Sequence, residues 1–306
     1  MTDFQNSAPA DVPFVDERTV DWPNVRKTHC YFYQRFDYAY PGPIQNLKQR
    51  LMVIPADQYG AQRLQRYALS VDPSPDATRQ RIDRFGNRIL ELEVAQADFS
   101  VSFEVLMVVE SEAHSTEWVA APPATLAQVR RQTRLTQPNP QMIAVTRELQ
   151  ALSTDEYDLA QRVSDWVYGV MRYESGVTTV DTTAAEALAL GRGLCQDYAH
   201  LMLSICRVAG LPARYVSGHL LGEGGSHAWV EVLFPTGQGV RVVAFDPTNN
   251  CRPDLGYITV AVGRDYRDVS PTSGSFTAPY GGLLTCSKRA GLTLVEYNSG
   301  DILRAQ

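Results

Sequence analysis

The segment GLCQDYAHLMLSICRVAG, residues 193–210, decides the fold of the second half of the chain. The stretch from Cys195 to Ala209 predicts a helix whose later turns are apolar almost all round, and a helix of that kind is buried. Gly210 is the predicted C-cap of this helix, and Pro212 prevents the helix from continuing. The second half of the chain is therefore expected to be built around one buried helix.

The sequence on either side of this helix supplies further elements. A capping pattern at 153–156 predicts a helix that runs to about Tyr173, and a short helix is predicted at 184–190, before Gly191. Strand-like segments with glycine-containing turns follow the buried helix, and a central helix followed by a meander of strands indicates an α+β core. The predicted strands are 213–221, 227–234 and 240–245, with further candidates at 257–262 and 292–297.

The first half of the chain is rich in strand-like segments. Residues 29–38 alternate aromatic with polar side chains, and Phe85-Gly86-Asn87 joins two strand-like segments as a hairpin turn. Short strands at near-regular spacing predict an antiparallel β-sandwich. The composition changes at Ala121-Pro122-Pro123. The predicted organisation is a flexible lead-in at 1–25, the β-sandwich at 26–120, a linker at 121–140 and the α+β core with C-terminal strands at 141–306.

Composition excludes several classes of protein. The length of 306 residues suits two domains, and the net charge of −6 argues against a nucleic-acid partner. No apolar run approaches the roughly 20 residues that a membrane helix needs, and the acidic N-terminus lacks an apolar signal segment, so we expect a cytoplasmic protein. The five cysteines form no C-x-x-C pair, which argues against a disulfide scaffold or a zinc ribbon and predicts free thiols.

Cys195 is the cysteine with the most reactive predicted setting. It lies at the predicted N-terminus of the buried helix, where the helix dipole favours a thiolate and unpaired backbone N–H groups can hold an oxyanion. Gly193 has no side chain that would keep a substrate backbone away. Taken alone, Cys195 also fits a small core residue, because free cysteine is commonly buried.

Residues further along the chain can complete a catalytic arrangement with Cys195. His227 begins a predicted strand after a glycine turn, and its imidazole can take the thiol proton and return it to a leaving group. Asp246 ends the adjacent predicted strand, where it can accept the second imidazole N–H and orient the ring. Trp229 is expected on the same face as His227, where it can shield the pair from water. Taken alone, His227 also fits a packed structural histidine, and Asp246 also fits a turn-forming aspartate. The catalytic interpretation therefore rests on the order of Cys195, His227 and Asp246 along helix and strands.

Four motifs in fixed order resemble those of the bacterial transglutaminase-like superfamily. They are GLCQDYAH (193–200), GLPARYVSG (210–218), SHAWVEV (226–232) and FDPTN (245–249). The resemblance covers about residues 150–260, and the preceding residues look like the N-terminal β-domain that accompanies this core in bacteria. It implies an α+β protein in which an antiparallel β-sandwich precedes a papain-like transglutaminase core, with the central buried helix packed on an antiparallel β-sheet.

The resemblance implies a triad of Cys195, His227 and Asp246 that transfers an acyl group through a thioester. We expect attack on a carboxamide or peptide carbonyl of a peptide or protein substrate. Hydrolysis, as by a cysteine protease or amidase, is favoured because water is always present and no amine site is identifiable. Two alternatives stay open, a protein-glutamine amine transglutaminase and a non-catalytic binding or scaffold protein that retains the fold. No metal ion, cofactor, nucleic acid or membrane partner is expected. Further substrate or oxyanion candidates are Gln196, Gly193, Trp229, Tyr173 and Trp166.

Overall fold

The computed structural model describes residues 12–113, 118–119, 123–237 and 239–305. Its first half is built from strands that follow two short 3-10 turns. The turns are Glu17–Thr19 and Trp22–Asn24. The strands are β1 (Val25–Ala39), β2 (Ile44–Leu51), β3 (Gln58–Tyr59), β4 (Gln62–Asp72), β5 (Ala77–Ile82), β6 (Arg88–Ala97), β7 (Ser100–Glu112) and β8 (Trp118–Val119).

The second half combines helices with further strands. The helices are α1 (Pro123–Val129), α2 (Pro140–Leu152), α3 (Glu156–Val170), α4 (Ala184–Leu190), α5 (Cys195–Val208) and α6 (Tyr266–Val269). The strands are β9 (Arg172–Tyr173), β10 (Arg192–Gly193), β11 (Ala213–Leu220), β12 (Gly222–Glu223), β13 (His227–Thr236), β14 (Gly239–Phe245), β15 (Tyr257–Gly263), β16 (Thr272–Thr277), β17 (Leu283–Tyr297) and β18 (Ile302–Arg304). Within the described ranges, no helix has the length and apolar character needed to cross a bilayer.

Two antiparallel sheets form a sandwich, which confirms this part of the predicted fold. One sheet has the order β12–β17–β1–β7–β4–β3, with β18 paired to β17, and the other has the order β16–β2–β6–β5. Both sheets contribute to one buried apolar cluster, with Ile44 and Leu92 from one sheet and Phe103 and Val105 from the other. The predicted hairpin turn is present between β5 and β6, where Gly86 adopts a φ of +87° that glycine tolerates without strain.

The core is organised around α5. The core sheet has the order β15–β11–β13–β14–β8, and α5 packs across β11 and β13 while α2, α3 and α4 contact its other sides. Side chains all round the helix, including Leu201, Met202, Leu203 and Cys206, are fully buried. The predicted α+β core with a central buried helix on an antiparallel sheet is therefore confirmed.

The C-terminal strands pair with the sandwich, which corrects the predicted core at 141–306. β17 lies between β12 and β1 and pairs with β1 along its whole length, while β16 pairs with β2. Burial explains this placement, because Leu292 and Val295 of β17 pack against Val15 and Val25 near the start of the chain. A pairing between strands so distant in the chain leaves no mark in local periodicity.

The described part of the predicted lead-in, residues 12–24, packs against β17. Val15 and Val20 are buried, and the backbone N–H of Val15 donates to the carbonyl of Leu292 over 2.8 Å. The prediction of a flexible lead-in is therefore corrected for these residues, whose apolar side chains cover the sandwich. Residues 1–11 lie outside the described residues.

The predicted linker at 121–140 also contains regular structure. α1 lies inside it, and α2 begins at its last residue, Pro140, where the Asn139 side chain caps the helix by accepting from the Met142 N–H. This Asn-Pro pair is a helix-start signal that was available in the sequence. Residues 120–122, where the composition changes, lie outside the described residues, and β8 just before them pairs with β14 of the core sheet.

We expect Leu292→Ala to lower the free energy of unfolding by about 2–5 kcal/mol, because this side chain of β17 is fully buried against Val15 and Val25. Urea denaturation followed by circular dichroism measures this change. The matched control is Leu283→Ala on the same strand, whose side chain is 67% exposed and whose truncation should change stability by less than about 0.5 kcal/mol. Equal effects of the two substitutions would contradict the placement of β17 in the sandwich.

Candidate active site

Local backbone structure places Cys195 at a helix start. α4 ends at Gly191, β9 and β10 then pair in parallel, and Cys195 is the first residue of α5. The backbone N–H groups of Cys195 and Gln196 donate no hydrogen bond to any residue that the structure describes. Unpaired N–H groups in the first turn of a helix can stabilise an oxyanion. The start of α5 thus offers a thiol and oxyanion donors side by side.

Asp197 holds the loop that precedes this helix. Its Oδ2 accepts hydrogen bonds from the Leu194 backbone N–H and the Thr178 hydroxyl, both over 2.7 Å. Gly193 is required beside it, because a Cβ at that position would lie 2.4 Å from the same oxygen. Asp197 is buried, and burial raises the pKa of its carboxyl group. Gly193, which the sequence suggested as an opening for substrate, therefore has a packing role against Asp197.

His227 and Asp246 come from adjacent strands and are in direct contact. His227 begins β13, Asp246 follows the last residue of β14, and His227 Nε2 lies 2.7 Å from Asp246 Oδ2. An ionised carboxylate only accepts hydrogen bonds, so Nε2 carries a proton and Nδ1 is left for another partner. Cys195 is the other side chain that interacts with the imidazole. The structure thus brings together the three residues that the sequence singled out.

The surroundings of His227 favour its charged form. The side chain is only 11% exposed, and this burial by itself disfavours the imidazolium. The hydrogen bond to Asp246 and the interaction with Cys195 outweigh the effect of burial and raise the pKa of His227 to about 9. At neutral pH the ring is therefore an imidazolium.

Asp246 is fully buried, and its carboxylate accepts five hydrogen bonds. Oδ1 accepts from the backbone N–H groups of Thr248 and Asn249, at 2.9 and 3.2 Å. Oδ2 accepts from His227, from the Asn249 side-chain amide and from the Tyr257 hydroxyl, the last two over 2.8 Å. Burial raises the pKa of Asp246, but the hydrogen-bond donors prevail and the pKa is lowered. The carboxylate therefore stays charged and orients the imidazole.

The sequence interpretation missed Asn249 and Tyr257 as partners of Asp246. Asn249 lies in the FDPTN motif, and an asparagine shortly after an aspartate-proline pair is a turn signal that could have identified it. Tyr257 reaches the site because β15 pairs with β11, so no local signal marks it. The Tyr257 ring also lies edge-on to His227 and to Trp229, with centroids 6.1 and 5.4 Å away.

The other candidate residues have different surroundings. Trp229 is buried and lies nearly parallel to the His227 ring, with centroids 6.1 Å apart, so it covers one face of the imidazole. Tyr173 lies in β9 and not in α3, which ends three residues earlier; its pKa is raised by burial and by neighbouring Cys195. Gln196 donates its side-chain N–H to the Thr179 carbonyl over 3.3 Å.

Trp166 lies on α3 and packs against the helical core. In the described part of the chain, no hydrogen bond or ring contact joins Trp166 to the triad. His200 and Cys206 of α5 are fully buried, and burial lowers the pKa of His200 to about 3 and raises that of Cys206 to about 12. His200 accepts a hydrogen bond from the Tyr266 backbone N–H over 3.1 Å, which is a structural role.

Family models match both halves of the chain. Residues 143–247 match the core of the transglutaminase-like superfamily, and residues 33–110 match the bacterial transglutaminase-like N-terminal region. The chain therefore belongs to the transglutaminase-like superfamily and carries the N-terminal β-domain of its bacterial members. The resemblance described from the four sequence motifs is confirmed.

The chain is also similar to individual proteins and to a solved structure. An uncharacterized protein of Mycobacterium leprae is 41% identical over 122 residues, which are 37% of this chain and 42% of that relative. An uncharacterized protein of Mycobacterium bovis is 29% identical over 275 residues, which are 81% of this chain and 87% of that relative. The crystal structure of a candidate cysteine protease from Cytophaga hutchinsonii has the same fold, with a TM-score of 0.67 and 20% identity over 87% of this chain and 98% of that one.

We expect Tyr257→Phe to raise the pKa of His227 above its wild-type value of about 9, and Asp246→Asn to lower it. Without the Tyr257 hydroxyl, Asp246 Oδ2 loses a competing donor and interacts more strongly with the imidazolium. Without the charge of Asp246, the imidazolium loses its strongest favourable partner. NMR titration of the His227 ring protons measures both shifts.

The matched control for Tyr257→Phe is Tyr173→Phe, which removes a hydroxyl near Cys195 that is not bonded to Asp246. This control should leave the pKa of His227 at its wild-type value. An unchanged pKa in Asp246→Asn, or the same shift in both tyrosine variants, would contradict the hydrogen-bond arrangement described above.

Proposed function

We propose that the protein is a thiol acyl-transfer enzyme that hydrolyses a peptide or protein carboxamide through a thioester on Cys195. One observation carries the proposal: His227 lies 2.7 Å from Asp246 and interacts with Cys195 at the start of α5. A nucleophile, a base and a residue that orients the base are the groups that acyl transfer by a thiol requires. Membership of the transglutaminase-like superfamily supports the same chemistry.

In the acylation step, the proton of Cys195 resides on His227, and the thiolate sulfur attacks the carbonyl carbon of the substrate. The C–S bond forms while the carbonyl electron pair moves onto oxygen, next to the free backbone N–H groups of Cys195 and Gln196. Collapse of this intermediate breaks the C–N bond, and the imidazolium gives its proton to the departing amine. The enzyme is left as a thioester with neutral His227.

In the deacylation step, His227 removes a proton from water, whose oxygen attacks the thioester carbonyl. The C–S bond breaks, a carboxylic acid leaves, and the sulfur and imidazole return to the ion pair. Asp246 stays ionised throughout and stabilises the imidazolium whenever it forms. The rings of Trp229 and Tyr257 pack against the His227 imidazole and exclude water where they contact it. Proton exchange is therefore directed toward Cys195.

We favour hydrolysis over amine transfer because the surroundings of Cys195 are exposed to solvent. Tyr173 is 58% exposed beside Cys195, so water has access to a thioester from that side. A transglutaminase needs in addition a site that holds a primary amine against the thioester, and the sequence offers no identifiable one.

Cys195→Ala is expected to reduce hydrolysis of labelled casein, and ammonia release from a glutaminyl peptide, by about a thousandfold or more, because no other group in the site can form the thioester. The matched control is Cys286→Ala, which removes an exposed thiol of the sandwich and should keep wild-type rates. Full activity in Cys195→Ala would overturn the proposal. A wild-type protein that is inactive on both substrates, with Cys195 alkylated no faster than Cys286, would favour a binding or scaffold protein.

The proposed hydrolase and a transglutaminase differ in whether water or a primary amine resolves the thioester on Cys195. With casein, a glutaminyl peptide and a fluorescent primary amine at about millimolar concentration, we expect release of ammonia with little incorporation of the amine, because water is in large excess. Incorporation that is faster than ammonia-coupled hydrolysis would instead assign the protein as an amine transferase. Cys195→Ala serves as the blank for both readouts.

A further inference from the structure

An arginine-lined cavity lies where the β5–β6 hairpin of the sandwich meets α6 of the core. Its volume is about 430 Å³, a size that accommodates a small organic ligand. Guanidinium groups and apolar side chains line it together. They belong to Arg50, Arg81, Arg84 and Arg267, with Ile82 and Phe85.

The carboxylates of this cavity are already engaged within the protein. Asp83 accepts hydrogen bonds from the backbone N–H groups of Phe85 and Asn87, at 2.8 and 2.9 Å, and so closes the hairpin turn. Asp268 accepts from the Arg264 side chain and backbone, at 2.7 to 2.9 Å. Neither carboxylate is therefore available as the main partner of the lining arginines.

Two of the lining arginines have carboxylate partners of their own. Arg81 pairs with Glu91 over 2.7 Å, and Arg267 pairs with Asp181. Among the described residues, Arg50 and Arg84 lack a carboxylate at such short distance. Arg84 lies 3.9 Å from Asp268, and its side chain is 52% exposed.

Arg50 is the most unusual group of the cavity. It is partly buried, and no carboxylate among the described residues lies within ion-pair distance of its guanidinium. One of its N–H groups donates to the Asp268 backbone carbonyl over 3.1 Å. Burial and the nearby charge of Arg81 lower the pKa of Arg50, and the more distant carboxylates of Asp83, Asp268 and Glu91 offset only part of this effect. A partly buried charge of this kind is stabilised by an anion that forms hydrogen bonds with it.

We propose that this cavity is a binding site for a small oxyanion of the phosphate or carboxylate class, held by the guanidinium groups of Arg50 and Arg84. Planar guanidinium groups match such anions with paired N–H donors. Ile82 and Phe85 supply an apolar wall for the organic part of the ligand. The net charge of −6 on the chain opposes a long polyanion, so a small ligand fits better than a nucleic acid.

Isothermal titration calorimetry on the full chain tests the site, with inorganic pyrophosphate and citrate as separate probes at constant ionic strength in chloride. We expect saturable binding of at least one probe, and the tighter one identifies phosphate or carboxylate as the preferred chemistry. Arg50→Met and Arg84→Gln should each weaken binding by about tenfold or more, since each removes charge-assisted hydrogen bonds. Arg84→Gln, which lies at the exposed side of the cavity, keeps the test decisive if Arg50→Met fails to fold.

The matched control is Arg79→Gln, an exposed arginine of β5 outside the cavity, which removes the same charge and should leave the affinity unchanged. Cys195→Ala should also bind normally, so the result does not depend on the proposed catalytic function. Absence of saturable binding by both probes in the wild-type protein would overturn the proposal. Equal weakening in Arg79→Gln and Arg84→Gln would overturn it as well, because it would indicate general charge attraction.

Discussion

The buried carboxylate of Asp246 is the interaction on which the geometry of the site depends. Removing a carboxylate from water is unfavourable by several kcal/mol unless hydrogen bonds replace the lost hydration. Here the turn after β14 supplies two backbone N–H groups, and Asn249 and Tyr257 supply two side-chain donors. The remaining direction of Oδ2 is taken by His227, so the imidazole has one orientation available and its other nitrogen is left for Cys195. The charge state of the pair follows from this arrangement, because a fixed, ionised carboxylate favours the imidazolium.

The sandwich contributes to this geometry through the hairpin that carries His227. Within that hairpin β12 pairs with β17, and the Lys288 ammonium donates to the Leu220 carbonyl over 2.8 Å. The His219 ring, also in the hairpin, is buried against Phe32 of β1 with centroids 4.3 Å apart. The sandwich thus holds the hairpin that leads to the base of the triad, while His227 itself lies on β13 of the core sheet. The boundary between the two halves of the chain is therefore not a boundary of the candidate site.

Elements whose causes are local could be predicted from the sequence, and those with distant causes could not. α4 has the predicted bounds because Thr183 and Glu186 form a capping box at one end and Gly191 closes the other. α5 begins at Cys195 as predicted. The order of Cys195, His227 and Asp246 along helix and strands was sufficient to predict that these residues form one site. β17 and Tyr257 were misplaced or missed, because each acquires its role through strand pairing with residues far away in the chain. The flexible lead-in predicted around Val15 was wrong for the same reason, since the hydrogen-bond partner of Val15 is the distant residue Leu292.

The loop between β9 and α4 contacts both the start of α5 and the arginine-lined cavity. The strengths of these two contacts decide how far a change at the cavity affects the nucleophile. On the nucleophile side, Thr178 donates to the buried carboxylate of Asp197 over 2.7 Å. On the cavity side, Asp181 pairs with Arg267, but both side chains are more than half exposed. Solvent and salt screen an exposed ion pair, whereas a buried hydrogen bond to a carboxylate is hardly screened. Even if an anion bound by Arg50 and Arg84 weakens the Arg267–Asp181 pair, the loop therefore stays anchored at Asp197, and the start of α5 keeps its position.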